Sequence, residues 1–186
     1  VCCFMFLFIG LFLDVFRWFF LTFSNKHWVE GFGAIPILAL GNIFLGIYYN
    51  LSIWYKLTNK NSYGAVITIA GAVITILLNI FLIPQLHYYG AAIATFSCYF
   101  FMMISSYLLG QKYYPVPYEV KKLVGYISVA VILYLLHIGI THFAKNQLWF
   151  SVSLGVLLLV VFTKMIGKFE ADELSKLPLI SKLYKK

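Results

Sequence analysis

Charge is what this chain lacks most. Charged residues make up 11% of the 186, and only six are acidic, against about a quarter charged in a soluble domain. Three of those acids, Glu170, Asp172 and Glu173, crowd near the carboxyl terminus. Chemistry by base, acid or metal needs such groups within hydrogen-bond reach of one another, and the rest of the chain offers few. "HWVE" at 27–30 is the one His/acid pair at helical spacing. Cysteine is scarce too. Cys2, Cys3 and Cys98 form no CxxC and no Cys/His pair with metal spacing, so small apolar packing is their expected role. No Gly-rich phosphate loop is visible. Neither a metal nor a cofactor is expected.

What fills the chain instead is apolar: 62% of residues are hydrophobic and the mean hydropathy is +0.90. No water-soluble fold hides that much. Uncharged runs cover Gly31–Tyr55, Asn61–Gln111, Leu123–Ala144 and Asn146–Thr163. A helix needs roughly 20 apolar residues to cross the hydrocarbon core. The longest run is therefore two spans, divided at "IPQLHYYG", where Pro84 and Gly90 signal a turn. Six spans result, at roughly 1–22, 32–55, 63–83, 89–109, 122–143 and 147–166. Asp14 and Arg17 interrupt the first. Strands of a membrane barrel alternate over about ten residues, and these runs are apolar on every side. The expected fold is all-α, a polytopic transmembrane helical bundle. Val1 opens the chain inside apolar text with no charged region before it, unlike a signal peptide. A fragment lacking its amino-terminal part is expected.

A net charge of +8 raises nucleic acid as a partner, but the basic residues sort by loop. With sides numbered alternately, eleven of the 14 fall on one side: Lys56, Lys60, Lys112, Lys121, Lys122, Lys164, Lys168, Lys176, Lys182, Lys185 and Lys186. Arg17, Lys26 and Lys145 take the other. This is positive-inside asymmetry, not a folded basic face, so no nucleic acid is expected. The lysine-rich side is then cytoplasmic, with the carboxyl terminus inside. Aromatic residues mark both interfaces: Trp28 and Trp149 outside; Trp54, Tyr55, Tyr63, Tyr113, Tyr114 and Tyr118 inside. "GQKYYPVPYEVKK" at 110–122 is the longest inner loop. The tail 168–186 mixes Leu174, Leu177, Ile180 and Leu183 with lysines, as a basic amphipathic segment on the inner leaflet does. A partner-binding tail is the alternative.

Polar residues inside the spans are the candidates for function. On "LGIYYNLSIWYKLTNK" and the residues before it, Asn42, Gly46, Tyr49, Asn50, Ile53 and Lys56 fall within about 120° on a helical wheel. Asn42 lies halfway through its span, where an interfacial belt does not explain it. A polar cavity lining and an inter-helix hydrogen bond are both open. In the third span Gly64, Thr68, Ala72, Thr75 and Asn79 recur at close-packing intervals, and Gly90, Ala94 and Ser97 do so in the fourth. Asn79 stands apart, because an amide in hydrocarbon needs a partner. Asp14 and Arg17, at i and i+3, are a structural or gating pair or an ion-coupling site. His137 packs through a hydrogen bond or relays protons.

The segment from Gly41 to Phe100 and the following "LGQKYYPVPY" resemble the later half of bacterial oligosaccharide flippases of the O-antigen type. Their superfamily also holds MATE multidrug exporters and the lipid II flippase. The residues that carry the resemblance are "LGIYYNLSIWYKLT", the run Gly71–Thr75–Asn79–Ile83–Pro84, the restart Tyr89–Gly90–Ala91–Ala92 and the exit Gly110–Gln111–Lys112–Tyr113–Tyr114–Pro115. It covers roughly 30–122 well and the flanks more loosely, and none of these motifs is a catalytic signature. The resemblance implies a two-lobe transporter of about fourteen spans working by alternating access. Residues 1–121 would be later helices of its second lobe, 122–167 two trailing helices and 168–186 the cytoplasmic tail. Its implied partners are a lipid-linked oligosaccharide on polyprenyl pyrophosphate, membrane lipids and the missing amino-terminal lobe. Asn42, Tyr49, Asn50, Lys56 and Asn79 become substrate-pathway candidates, and Asp14 and Arg17 gating or coupling candidates. No enzyme activity is expected. A MATE-type cation exporter, which requires acids in a cavity, and a membrane-embedded glycosyl- or acyltransferase are the alternatives.

Overall fold

The computed structural model describes residues 2–23, 31–115, 120–143 and 148–169, and all regular structure among them is helical. In chain order the helices are α1 (Cys2–Leu11), α2 (Leu13–Phe23), α3 (Ile35–Leu51), α4 (Ile53–Leu57), α5 (Asn61–Leu86), α6 (Tyr88–Tyr113), α7 (Val120–Phe143) and α8 (Leu148–Phe169). Segments Gly31–Leu57, Asn61–Leu86, Tyr88–Tyr113, Val120–Thr141 and Leu148–Gly167 are each long and apolar enough to cross a membrane. Cys2–Leu11 and Leu13–Thr22 together make a sixth candidate, bent by 48°. These are the six spans read from the sequence. The expected amphipathic tail beyond 169, the "HWVE" segment, and Lys26, Trp28, Tyr118 and Lys145 lie outside the described residues.

Packing follows an open row. α5 lies on α6, α6 on α3, α3 on α1, and α1 on both α7 and α8. Two apolar cores hold the row together. One joins Phe6, Leu7 and Leu11 of α1 to Ala39 and Ile43 of α3, Ala130 of α7, and Leu158 and Phe162 of α8. The other joins Tyr48, Ile67, Cys98 and Met102 across α3, α5 and α6. Apolar side chains elsewhere face outward, Phe81 at 68% and Val66 at 63% exposure, as helices in hydrocarbon require rather than helices in water.

Two turns explain how the long helices reverse. Between α4 and α5, Asn59 adopts φ 56°, the Lys60 amide donates to the Tyr55 carbonyl at 2.8 Å, and the Asn59 amide donates to Lys56 at 3.4 Å. That is a Schellman cap with Asn in the left-handed position, where its small polar side chain is tolerated. Between α5 and α6 the chain turns within "IPQLHYYG", where the sequence divides the two spans. The helix runs through Pro84 to Leu86, and the chain reverses at His87, φ 47° and ψ −118°. Gly90 serves close approach instead: a Cβ there would sit 2.5 Å from the Leu82 carbonyl oxygen. Pro84 has no N–H to donate to the Ile80 carbonyl, and the helix continues two residues past it with that bond missing.

One end of the row gathers the helix ends richest in lysine. The Lys60 ammonium lies 4.0 Å from the centroid of the Tyr113 ring, and the Tyr63 and Tyr113 hydroxyls are 2.9 Å apart. Val120 and Leu123 of α7 share a cleft with Asn50 and Tyr107. Lys56, Lys60, Lys112, Lys121 and Lys122 thus belong to neighbouring helix ends, the grouping expected from their loops.

Candidate functional site

α3 places its polar residues as the helical wheel anticipates. Asn42, Tyr49 and Asn50 are all exposed, and Lys56 is exposed on α4, the short continuation after the Ser52 turn. The Asn50 amide nitrogen donates to the Gly46 carbonyl at 3.1 Å, so part of its hydrogen-bonding capacity is used on its own helix. Gly46 is the close contact of this face with α1, since a Cβ there would lie 2.5 Å from Cys2 Sγ. Beyond that contact the face is uncovered.

Its neighbours on the helix turn inward. Tyr48 is buried, and its hydroxyl lies 3.3 Å from that of Tyr55 and 3.4 Å from Thr68 on α5. Trp54, expected at the interface, is 2% exposed. Its indole N–H donates to the Ser106 carbonyl at 3.2 Å, and its ring fits beside Gly110 of α6. Burying an indole requires a partner for its N–H, and Ser106 supplies it. Trp54 is thus turned into the protein rather than toward lipid: the small residues Ser106 and Gly110 let the indole dock between helices.

Asn79 is separate from the α3 face. It sits on α5, which packs on α6, and α6 lies between it and most of α3. Its side-chain oxygen is buried without a hydrogen-bond partner among the described residues. Thr68 and Thr75 on the same helix donate to the carbonyls one turn back, Gly64 and Gly71, at 2.9 and 3.0 Å. Their hydroxyls are satisfied locally. The small-residue pattern of α5 is used for packing, with Gly64 against Tyr55 and Gly71 against Met102 and Cys98.

A cleft of ≈ 410 Å³ opens between α3, α6 and α7, where Asn50 stands among Phe44, Ile47, Phe100, Met103 and Val124. Its volume is that of a small-molecule site, but its walls are almost wholly apolar. It offers hydrocarbon contact with a single amide at the edge.

The opposite end of the row holds a second polar cluster. Ser151 Oγ donates to Asp14 Oδ2 at 2.7 Å. His137 Nε2 lies 3.2 Å from the Ser151 carbonyl oxygen and 3.3 Å from Ser151 Oγ. Thr141 Oγ1 donates to the His137 carbonyl at 2.8 Å. His137 and Ser151 are 3% and 2% exposed, whereas Asp14 is half-buried and Arg17 exposed. The cluster joins α2, α7 and α8 just past the bend in the first span. Sequence reasoning reached Asp14 and His137 but missed Ser151, whose signal is depth: all three lie a few residues inside the same end of their spans. The residue types are those of a serine hydrolase, but the order differs. The carboxylate bonds the serine rather than orienting the imidazole, and the serine is closed off from solvent.

Among the described residues no group of three or more His, Cys, Asp or Glu could hold a metal ion. Protein-family models, curated proteins and solved structures give no match to this chain. By the length and hydropathy of its helices, the chain is a polytopic α-helical membrane protein.

Proposed function

We propose that the chain is part of a transporter that flips a lipid-linked oligosaccharide, a glycan on polyprenyl pyrophosphate, across the bacterial cytoplasmic membrane by alternating access. The observation that carries this reading is the uncovered polar face of α3, with Asn42 exposed at mid-span and Tyr49, Asn50 and Lys56 exposed nearer the lysine-rich end. Amides placed in hydrocarbon without partners are costly, so such a face belongs against water, sugar hydroxyls or another part of a transporter. The apolar cleft at Asn50 supports it by giving hydrocarbon a place beside that path. The resemblance to O-antigen-type flippases over roughly 30–122 points the same way. Under this reading the lysine-rich end is cytoplasmic, and the remaining partners are membrane lipids and the other lobe of the transporter.

Cation export of the MATE type and membrane-bound group transfer both find less support. Asp14 is the one acidic residue among those described, and it is engaged by Ser151. The buried serine does not present a nucleophile to a cavity. The test is Asn42→Leu with Asn50→Leu in the full-length transporter. Glycan export is expected to fall at least tenfold with membrane insertion unchanged; normal export in the double variant contradicts the reading.

A further inference from the structure

We infer that the lysine-rich ends of α7 and α8 frame a binding site for one anionic phospholipid, its phosphate met by Lys122 and Lys164 and an acyl chain lying in the groove between the two helices. This inference stands on the geometry of α7 and α8 and not on the transport reading. The groove has a volume of ≈ 270 Å³ and is lined by Lys122, Gly125, Tyr126 and Val129 of α7 and by Met165 of α8. On a helical wheel the four α7 residues share one face, within about 100°. Gly125 faces open space, since a Cβ there would meet nothing within 4 Å.

The register of the two helices sets the lysines at one depth. His137 meets Ser151 at 3.3 Å, and seven residues nearer the lysine-rich end of each helix Ala130 and Leu158 share a core. At the same pace Lys122 is level with Ile166, and Lys164 stands two residues, about 3 Å, from that level. Lys121, Lys122 and Lys164 are exposed. Lys164 precedes Met165, and its long stem lets the ammonium reach the rim of the groove. From Lys122 to Val129 the groove runs about 10 Å inward, most of the roughly 15 Å of hydrocarbon in one leaflet.

Chemistry selects the occupant. Apolar walls with nothing against them forfeit dispersion contacts, and an acyl chain restores these where water does not. The rim favours an anion. Asp14 is the one acid among the described residues, and it bonds Ser151, about 20 Å along α8 from Lys164. The flanking sequence keeps the positive excess: 112–122 carries three lysines and Glu119, and 164–186 carries six lysines against Glu170, Asp172 and Glu173. Basic pockets between helices at this depth take anionic headgroups, each lysine contributing about fivefold in affinity. The larger cleft on the other face of α7 is lined by Leu123 and Val124 and by no charged side chain among the described residues, so it offers a chain no headgroup partner.

The probe is phosphatidylglycerol with a photoactivatable diazirine midway along one acyl chain, present at trace level in phosphatidylcholine vesicles that hold the full chain. Adducts mapped by peptide mass spectrometry are expected to concentrate on Tyr126, Val129 and Met165, with competition by unlabelled phosphatidylglycerol. Lys122→Gln and Lys164→Gln are each expected to weaken labelling about fivefold, and together about twenty-five-fold. Gly125→Leu leaves the charge unchanged but fills the groove, and is expected to abolish labelling at Val129 and Met165. Lys56→Gln with Lys112→Gln removes equal charge elsewhere and is expected to leave labelling as it was. All five positions are exposed, so the variants are expected to fold. Adducts spread evenly over the helices, labelling unmoved by Gly125→Leu, or an equal loss in the Lys56 and Lys112 variant would overturn the inference. So would displacement of the probe by a polyprenyl phosphate at lower concentration than by phosphatidylglycerol.

Discussion

Tyr48 and Tyr49 are adjacent in sequence and point to opposite surroundings. Tyr48 is 5% exposed and shares hydroxyl contacts with Tyr55 and Thr68; Tyr49 is 62% exposed. Trp54 resolves the same way as Tyr48, anchored by its N–H on Ser106. Trp54→Ala is expected to cost about 3–5 kcal/mol, the range for emptying an aromatic site in a core. Trp54→Phe keeps most of the ring volume and is expected to lose only the hydrogen bond, about 1 kcal/mol. Tyr49→Ala is expected to leave stability nearly unchanged. Unfolding of the purified protein in detergent, titrated with sodium dodecyl sulfate, separates the three. His87 is the other position where one residue carries a backbone burden. Its φ of 47° is disfavoured for a side chain with a Cβ. His87→Gly is expected to stabilise the α5–α6 hairpin by about 1 kcal/mol and His87→Val to destabilise it by about 1–3 kcal/mol, judged by the same titration.

At the scale of the helices, glycine positions divide by what a Cβ would meet. At Gly90 it would strike the backbone of Leu82 and Ile83, and backbone across a tight turn cannot move aside. At Gly71 it would touch Met102 and Cys98 side chains at 3.0–3.1 Å, and a flexible thioether can yield. At Gly125 and Gly139 nothing lies within 4 Å. Alanine substitution is therefore expected to cost about 1–3 kcal/mol at Gly90, less at Gly71, and to be neutral or favourable at Gly125 and Gly139, in one ranked series of unfolding measurements.

The positions of these helices were legible because a membrane span must be apolar for roughly 20 residues, a constraint that leaves long uncharged runs in plain view. The reversal within "IPQLHYYG" was legible, but not that His87 carries it. Pro84 and Gly90 are strong turn signals, yet tertiary packing used one for the last helical turn and the other for close approach. The bend between α1 and α2 was visible only as the interruption by Asp14 and Arg17. Of the candidate sites, the α3 face followed from helical periodicity alone. The partner of Asp14 did not, because Ser151 is 137 residues away in sequence and joins it only when α2 and α8 meet. Asn79 was legible as an oddity, and its buried oxygen without a described partner keeps it one.

At the scale of the whole molecule, two polar features sit at different depths of one open row of helices. The α3 face runs from mid-span to the lysine-rich end, and the Asp14–Ser151–His137 cluster closes the other end near the bend. The sidedness is open to direct measurement. A cysteine placed at Asn59, in the lysine-rich turn, and one at Tyr88, in the opposite turn, are expected to react with a membrane-impermeant maleimide from opposite faces of intact membranes. Reaction of both from the same face would break the alternation on which the spans were numbered.

The central claim is that the polar face of α3 lines a wet path, and accessibility along α3 tests it most directly. Cysteines introduced singly at Asn42, Tyr49, Asn50, Ile53 and Lys56, and at Ile43 and Leu51 on the buried side, can be challenged in native membranes with a small water-soluble thiol reagent. The account predicts rapid reaction at the first five, including Asn42 at mid-span, and protection at Ile43 and Leu51. Protection at Asn42 and Asn50 equal to that at Ile43 would contradict it.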